Sequence, residues 1–405
     1  MKKFFYVAIA ATALASCSSD NLVDLKEGDE LKIAAVADND SRAADVWCNN
    51  NLMPSFVLFA DAYSTQGTYK TFINAETYTN DGSSSTYSAP DGITRYWPEN
   101  DKLSFYAISG VDASDINWTA GRAPHTNEIT IKQNVREQVD IVYAVQPKVA
   151  KTSTGVVTLN FRHALSQVEF MAKNGNPEEL EIEILDVRVG NVYSTGELYL
   201  PTETSDKNVQ NHATDNGEVF VSQQNIWNNN SVSTLDDLTY FDITKDNFGA
   251  AVVLDEEAKS LTISTDADTK EEEDATENVT NNSMLLLPQS QTAWDGEKGA
   301  YLAVKCNIYN LVTVNGATEK VLLYGDKNDD GVAEGRWAYV PVAINWQPGY
   351  KYVYTFNFAD GTNAGYEDSD SELPGTNPVL VNLTIDVTVD DFEPAAGEDI
   401  EMVAE

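Results

Sequence analysis

The chain has 405 residues, with 26 Lys and Arg against 64 Asp and Glu, and a formal net charge of -38 at pH 7. So acidic a surface repels phosphate backbones and anionic headgroups, which excludes nucleic acid and charge-driven membrane binding. Hydrophobic residues make up 42 % of the chain, enough for a folded protein with room for two domains of ordinary size.

Lys2 and Lys3 precede an apolar run from Phe4 to Ala13, which closes with Leu14-Ala15-Ser16-Cys17. The run is shorter than the roughly 20 residues needed to span a bilayer. Small residues leading into a cysteine read as a lipoprotein signal over residues 1–17, with Cys17 as the lipid-bearing first residue after cleavage. An ordinary secretory signal followed by a chance cysteine is the alternative. Ser18, Ser19 and Asp20 look like the short acidic export tag of surface lipoproteins in some didermal bacteria.

Residues 18–45 form the next unit, a propeptide. In "DELKIAAVA" the side chains of Leu31, Ile33, Ala35 and Ala37 share one face of a predicted strand, opposite Lys32 and Ala34. A single strand cannot bury that face alone and needs a groove elsewhere in the chain. The loop "DNDSRAAD" then sets Arg42 and Ala43 among small and acidic residues, where an arginine-specific protease could reach them. A cut there would separate the strand from everything downstream; an uncut surface loop is the competing expectation.

From residue 46 onward strand signals recur and helical periodicity is almost absent. "SFVLFADAY", "TYKTFINAETY", "KLSFYAI", "NEITIKQN", "VDIVYAV" and "GVVTLNFRHALSQVEFMAK" are short, rich in Val, Ile, Thr and aromatics, and parted by Asn, Gly, Pro and Asp. In the last of them Val157, Leu159, Phe161, His163 and Leu165 share a face before the apolar phase shifts to Val168 and Phe170. That shift predicts a bulge or corner near Ser166. The polar break at 173–179 divides a first β domain, 46–176, from a second, 177–405. Polar stretches at 202–218, 265–283 and 361–377 interrupt the second, and the middle one, with its "KEEED" run, reads as a solvated surface loop.

The last long strand has the cleanest period of two, with Val379, Val381, Leu383, Ile385, Val387 and Val389 on one face. It is either a segment that adheres to another molecule or the last strand of its own sandwich. Phe392, Ile400 and Met402 carry apolar character beyond it. The chain therefore reads as all-β.

Chemistry is sparse. His125, His163 and His212 lack metal-ligand spacing, and no serine elbow or phosphate-binding glycine loop occurs. His163 follows the apolar phase of its strand and reads as a hydrogen-bonded core residue. With Cys17 lipidated, Cys48 and Cys306 are the one pair able to form a disulfide, although Cys306 lies on the apolar face of "YLAVKCNIY" like a buried hydrophobe. "DKNDDGVAE" offers Asp326, Asn328, Asp330 and Glu334 with calcium-loop spacing, but Trp337 stands where a bidentate glutamate is needed. An acidic hairpin is the simpler reading and no cofactor is expected. Seven Trp and 19 Tyr could stack on sugars, but alternation such as Tyr350, Tyr352, Tyr354, Phe356 and Phe358 points first to core packing.

"RYWPENDKLSFYAISG", "VDIVYA", "LNFRHALSQVEF", "SMLLLPQ", "YLAVKCNIY" and "WQPGYKYVYTFNF", in that order behind a lipid signal, resemble the fimbrillin family of pilus lipoproteins. The resemblance implies two transthyretin-like β-sandwich domains and a structural, non-enzymatic pilus subunit supporting adhesion. It also implies an outer-membrane lipid anchor before processing, a cut after Arg42, departure of Leu31 to Ala37, and complementation by a donor strand of another pilin subunit, self or paralogous, lying between Val379 and Met402 with the Val379, Val381, Leu383, Ile385, Val387 and Val389 face as its candidate. From a different class, a glycan-binding surface lipoprotein that stays lipidated and monomeric is the rival.

Overall fold

The computed structural model describes residues 30–37, 53–80, 82, 85–90, 93–99, 101–201, 203–206, 209–213, 219–220, 226–230, 240–243, 251–265, 279–281, 283–359, 365–368, 373–378 and 382–391. The expectations at Cys17, Arg42, Ala43, Cys48, Val379 and Val381 lie outside these residues. Among the described residues the fold is all-β, and the helical elements are two single 3-10 turns, Ala113–Asp115 and Val135–Glu137.

The first sheet uses β1 (Lys32–Ala37), β2 (Ser55–Tyr63), β3 (Tyr69–Thr79), β4 (Thr86–Tyr87), β5 (Lys102–Ser109), β6 (Val142–Val149) and β7 (Val156–His163). Its order is β3-β2-β5-β6-β7-β1-β4. The two ends meet, because Thr79 and Ser88 exchange both main-chain hydrogen bonds, at 3.0 and 2.8 Å. The sheet thus curls into a ring in which β1 is an internal stave. Phe56, Leu58, Leu103, Phe105, Leu159 and Phe161 fill its interior.

The chain changes sheet at Ala164-Leu165, where the shift in apolar phase predicts a corner. β7 ends at His163, and β8 (Ser166–Asn174) starts a second sheet. There β8 pairs in parallel with β15 (Tyr350–Phe358), which pairs in turn with β18 (Leu383–Asp391). β11 (Met284–Leu286) pairs with the other edge of β8.

A third sheet faces it, in the order β10 (Tyr240–Ile243), β9 (Leu180–Gly190), β12 (Tyr301–Val314), β14 (Arg336–Pro341), β16 (Tyr366–Asp368), β17 (Pro374–Pro378). β13 (Ala317–Tyr324) forms a hairpin with β12. Phe170, Tyr354 and Phe356 from the second sheet pack with Ile182, Val187, Leu302, Val304 and Cys306 from the third in one core. Alternate burial along β8 and β15 is the physical signature of sheets with one face against that core.

The polar stretches carry strands of their own: Glu203–Asp206 and Val209–Ala213 in the first, Tyr366–Asp368 and most of Pro374–Pro378 in the third, while Ile263–Thr265 pairs with Val279–Asn281 at the two ends of the middle one. Main-chain pairing at a sheet edge does not require an apolar face, so alternation in sequence is silent there.

Candidate functional site

In "LKIAAVA" the face of Leu31, Ile33 and Ala35 is buried, at 7 %, 1 % and 0 % exposed, and on the other face Lys32 and Val36 are exposed while Ala34, expected beside Lys32, is covered at 9 %. On one side β1 runs parallel to β7 in a six-residue register, with Ile33 beside Val157 and Ala35 beside Leu159. On the other it is antiparallel to β4, with Ile33 beside Tyr87. Further main-chain bonds extend the hold: Leu31 N–H donates to Arg95 O at 2.8 Å, Lys32 N–H to Gly155 O at 3.0 Å, and Ala35 N–H to Ser85 O at 2.9 Å. Both edges of the strand are therefore satisfied, as an internal stave requires.

The groove beneath is aromatic. The Phe56 ring lies 4.6 Å from Tyr87 and 5.0 Å from Phe161, centroid to centroid. Tyr87 Oη donates to Met53 O at 2.6 Å, and burial pushes its phenol up to about 12, so it stays a protonated donor. Trp97 Nε1 donates to Gly155 O at 3.1 Å. Arg95, whose carbonyl receives Leu31, is itself held by an ion pair with Glu76. Take β1 away and the ring would open between β7 and β4, baring Val157, Leu159, Phe161 and Tyr87. Sequence reasoning found the strand but not Tyr87, Trp97 or Gly155; the Trp in "RYWPEN", outside any alternating run, was the available signal.

Other sites expected from sequence go different ways. Asn328 Oδ1 accepts N–H bonds from Asp330 and Val332 at 3.1 and 2.9 Å, and Asn328 N–H donates to Val332 O at 2.9 Å. The loop with Asp326, Asn328, Asp330 and Glu334 is thus a tight hairpin whose third-position oxygen is spent on the turn. Among the described residues no group of three or more His, Cys, Asp or Glu is placed to hold a metal ion.

His163 Nδ1 lies 2.8 Å from Asp140 Oδ2, with both side chains buried. His125 stacks on Tyr199, and His212 sits on a separate strand. Cys306 is free and wholly buried, and burial pushes its thiol well up. Tyr352, Tyr354, Phe356 and Phe358 are buried, so the aromatic alternation builds core. In β18 Leu383 is wholly buried, but Val387 and Val389 on the same face are 51 % and 53 % exposed.

A family model described as fimbrillin-like matches residues 41–386. The chain belongs to the fimbrillin-like family. The family match starts after β1 and stops within β18. A fimbrial protein from Bacteroides vulgatus is 13 % identical over 89 % of this fimbrillin-like chain and 99 % of that one, with a TM-score of 0.50, a likeness of fold. A Parabacteroides distasonis protein, provisionally described as acting in cell adhesion, is 12 % identical over 90 % of this chain and 99 % of that one, with a TM-score of 0.43. No curated protein matches the chain at a significant level.

Proposed function

We propose that this fimbrillin-like chain is a structural subunit of a cell-surface pilus, exported as a lipoprotein precursor and assembled by strand exchange. The observation that carries the proposal is the placement of β1. It is a stave of the first sheet, with Leu31, Ile33 and Ala35 buried, yet all of the ring except β1 follows Arg42 in sequence.

While the chain is intact, the covalent tie keeps β1 at high effective concentration over its groove. A cut between Arg42 and Ala43 ends that advantage. β-strand addition from another subunit's C-terminal region then restores main-chain bonds and refills the side-chain pockets. Because one end of a subunit meets a different surface of the next, the contact is heterologous and repeats into an open fibre.

In this scheme Cys17 carries the lipid anchor at the outer membrane before processing, and the chain divides near residue 176 into two β-sandwich domains. The role is mechanical and adhesive, without catalysis. Digesting the precursor with an arginine-specific protease tests the scheme. Cutting after Arg42 followed by a ladder of polymers supports it; a cut chain that stays monomeric refutes it.

A further inference from the structure

We infer that the rim of the first sheet farthest from the second sheet is a binding site for a short acidic saccharide, one with a single negative charge per sugar unit. β7 leaves this rim at Val156 and passes at its other end into β8, so the rim is the free end of the ring. Register gathers there the starts of β1, β3, β5 and β7 and the ends of β2 and β6. Tyr63 lies beside Tyr69 and Lys102, Leu103 beside Val149, and Lys32 beside Val156.

Charge on this rim runs against the trend of the chain. Lys32 on β1, Lys70 on β3, Lys102 on β5, Lys148 on β6 and Lys151 in the loop to β7 are all exposed. They are five of the six lysines among the described residues from 30 to 163, the sixth being Lys132. The carboxylates beside them, among the described residues, are Glu30 and Glu99, exposed, and Asp101, half-buried. A positive rim on a chain of net charge -38 is a local field, felt within about 10 Å at 0.1 M ionic strength. It suits a short ligand, because a long polyanion would meet the acidic surface around it. Neighbouring staves stand about 4.8 Å apart, so the lysines are strung along the rim and match charges that repeat along a chain.

Aromatic rings lie among these cations. Tyr69 and Tyr96 are 39 % and 43 % exposed. The Tyr63 and Tyr69 rings are 4.9 Å apart, centroid to centroid, and Gly121 backs Tyr69 so closely that an added Cβ would lie 3.0 Å from its ring. Lys148 Nζ stands 5.1 Å from the centre of the Tyr63 ring. Lys148 holds a φ of 51° beside a register shift between β5 and β6, and its N–H donates to Ser104 Oγ at 3.2 Å. Strained backbone and bulges of this kind cluster at binding sites. The acidic surface of a second copy would engage the lysines and leave the rings idle. An acidic sugar uses both, with its C–H face on a tyrosine and its carboxylate on a lysine. Four of the five lysines follow Arg42 in sequence, so the site does not depend on strand exchange.

Calorimetric titration of the full-length chain with a galacturonate hexamer tests the site. Binding is expected, and it should weaken as salt rises. Lys102→Gln combined with Lys148→Gln should weaken it about tenfold, as should Tyr69→Ala alone, whereas Lys132→Gln should leave it unchanged. Should the Lys148 variant melt early, Lys70→Gln, at an exposed position outside the tyrosine pair, repeats the charge test. A neutral glucose hexamer that binds as well removes charge from the recognition and overturns the inference. A glutamate hexapeptide that binds as well shows a rim that reads carboxylates without sugar, as a second copy would offer them, and overturns it too. So does the absence of heat with galacturonate, or binding indifferent to every rim substitution.

Discussion

Trp97 and Lys32 share one acceptor: the indole Nε1–H and the β1 main-chain N–H both donate to the carbonyl oxygen of Gly155, at 3.1 and 3.0 Å. Gly155 holds a positive φ of 74°, a backbone shape that side-chain-bearing residues rarely adopt. A single glycine carbonyl therefore ties the entry of β1 to the wall of its groove, and Trp97 shares one buried cluster with Leu31, Ile33 and Ala35.

Release of β1 should consequently red-shift the emission of Trp97, which is 7 % exposed in the precursor. The change is read by subtracting a Trp97→Phe variant before and after cutting at Arg42. That variant should also lose about 1 kcal/mol of stability from the missing hydrogen bond. Identical spectra for cut and uncut protein would show that β1 stays in place.

Truncation of Ile33 should weaken the first sheet far more than truncation of its neighbour. Ile33→Ala removes a wholly buried side chain and leaves a cavity, at a cost of about 2–5 kcal/mol. Lys32→Ala, on the open face, should stay within about 0.5 kcal/mol. Hydrogen exchange of the β1 amides and thermal melting distinguish the two. Equal effects would place the strand outside the core.

Gly190→Ala should destabilise, against the usual benefit of replacing glycine in regular structure. Gly190 pairs with Tyr301 across β9 and β12, and an added Cβ would overlap the Tyr301 ring. Overpacking of this kind costs about 1–3 kcal/mol. The penalty should shrink in a Tyr301→Leu background, a coupling that a double-mutant cycle measures.

Asp61 should give the protein a measurable pH signature. It is wholly buried, and its Oδ2 accepts the Gly121 N–H at 2.8 Å. Burial raises its pKa above the ordinary 3.8, against the lowering effects of Gly121, Ser104 and Lys148. The folded chain then holds this proton more tightly than the unfolded chain. The group favours folding most below pH 3.8, and that contribution is lost as pH rises through the raised folded value. Asp61→Asn should melt above the parent at pH 7, and the gap should close in acid. A variant that is less stable at pH 7, with a gap that widens as pH rises, contradicts this.

Much of the fold was readable wherever burial imposes alternation. The Leu31, Ile33, Ala35 face and the phase shift at Ser166 both correspond to what the structure does, one as a buried stave and the other as a change of sheet. Pairing partners were not readable. The parallel match of Lys32 with Val156 joins residues more than a hundred positions apart, and no local pattern encodes it. Val387 and Val389 alternate as cleanly as Leu383, yet they are half exposed, because alternation reports a face and not how far the core beneath it extends. The loop at Asp326 had calcium-like spacing, but spacing cannot show that Asn328 turns its oxygen onto its own backbone.

Native mass spectrometry of the precursor after cutting at Arg42 tests strand exchange most directly. Strand exchange yields species that are whole multiples of the chain starting at Ala43, with residues 30–37 absent from each polymerised copy. A stable one-to-one complex of the cut chain with its own 30–37 segment, with no higher species, would contradict it.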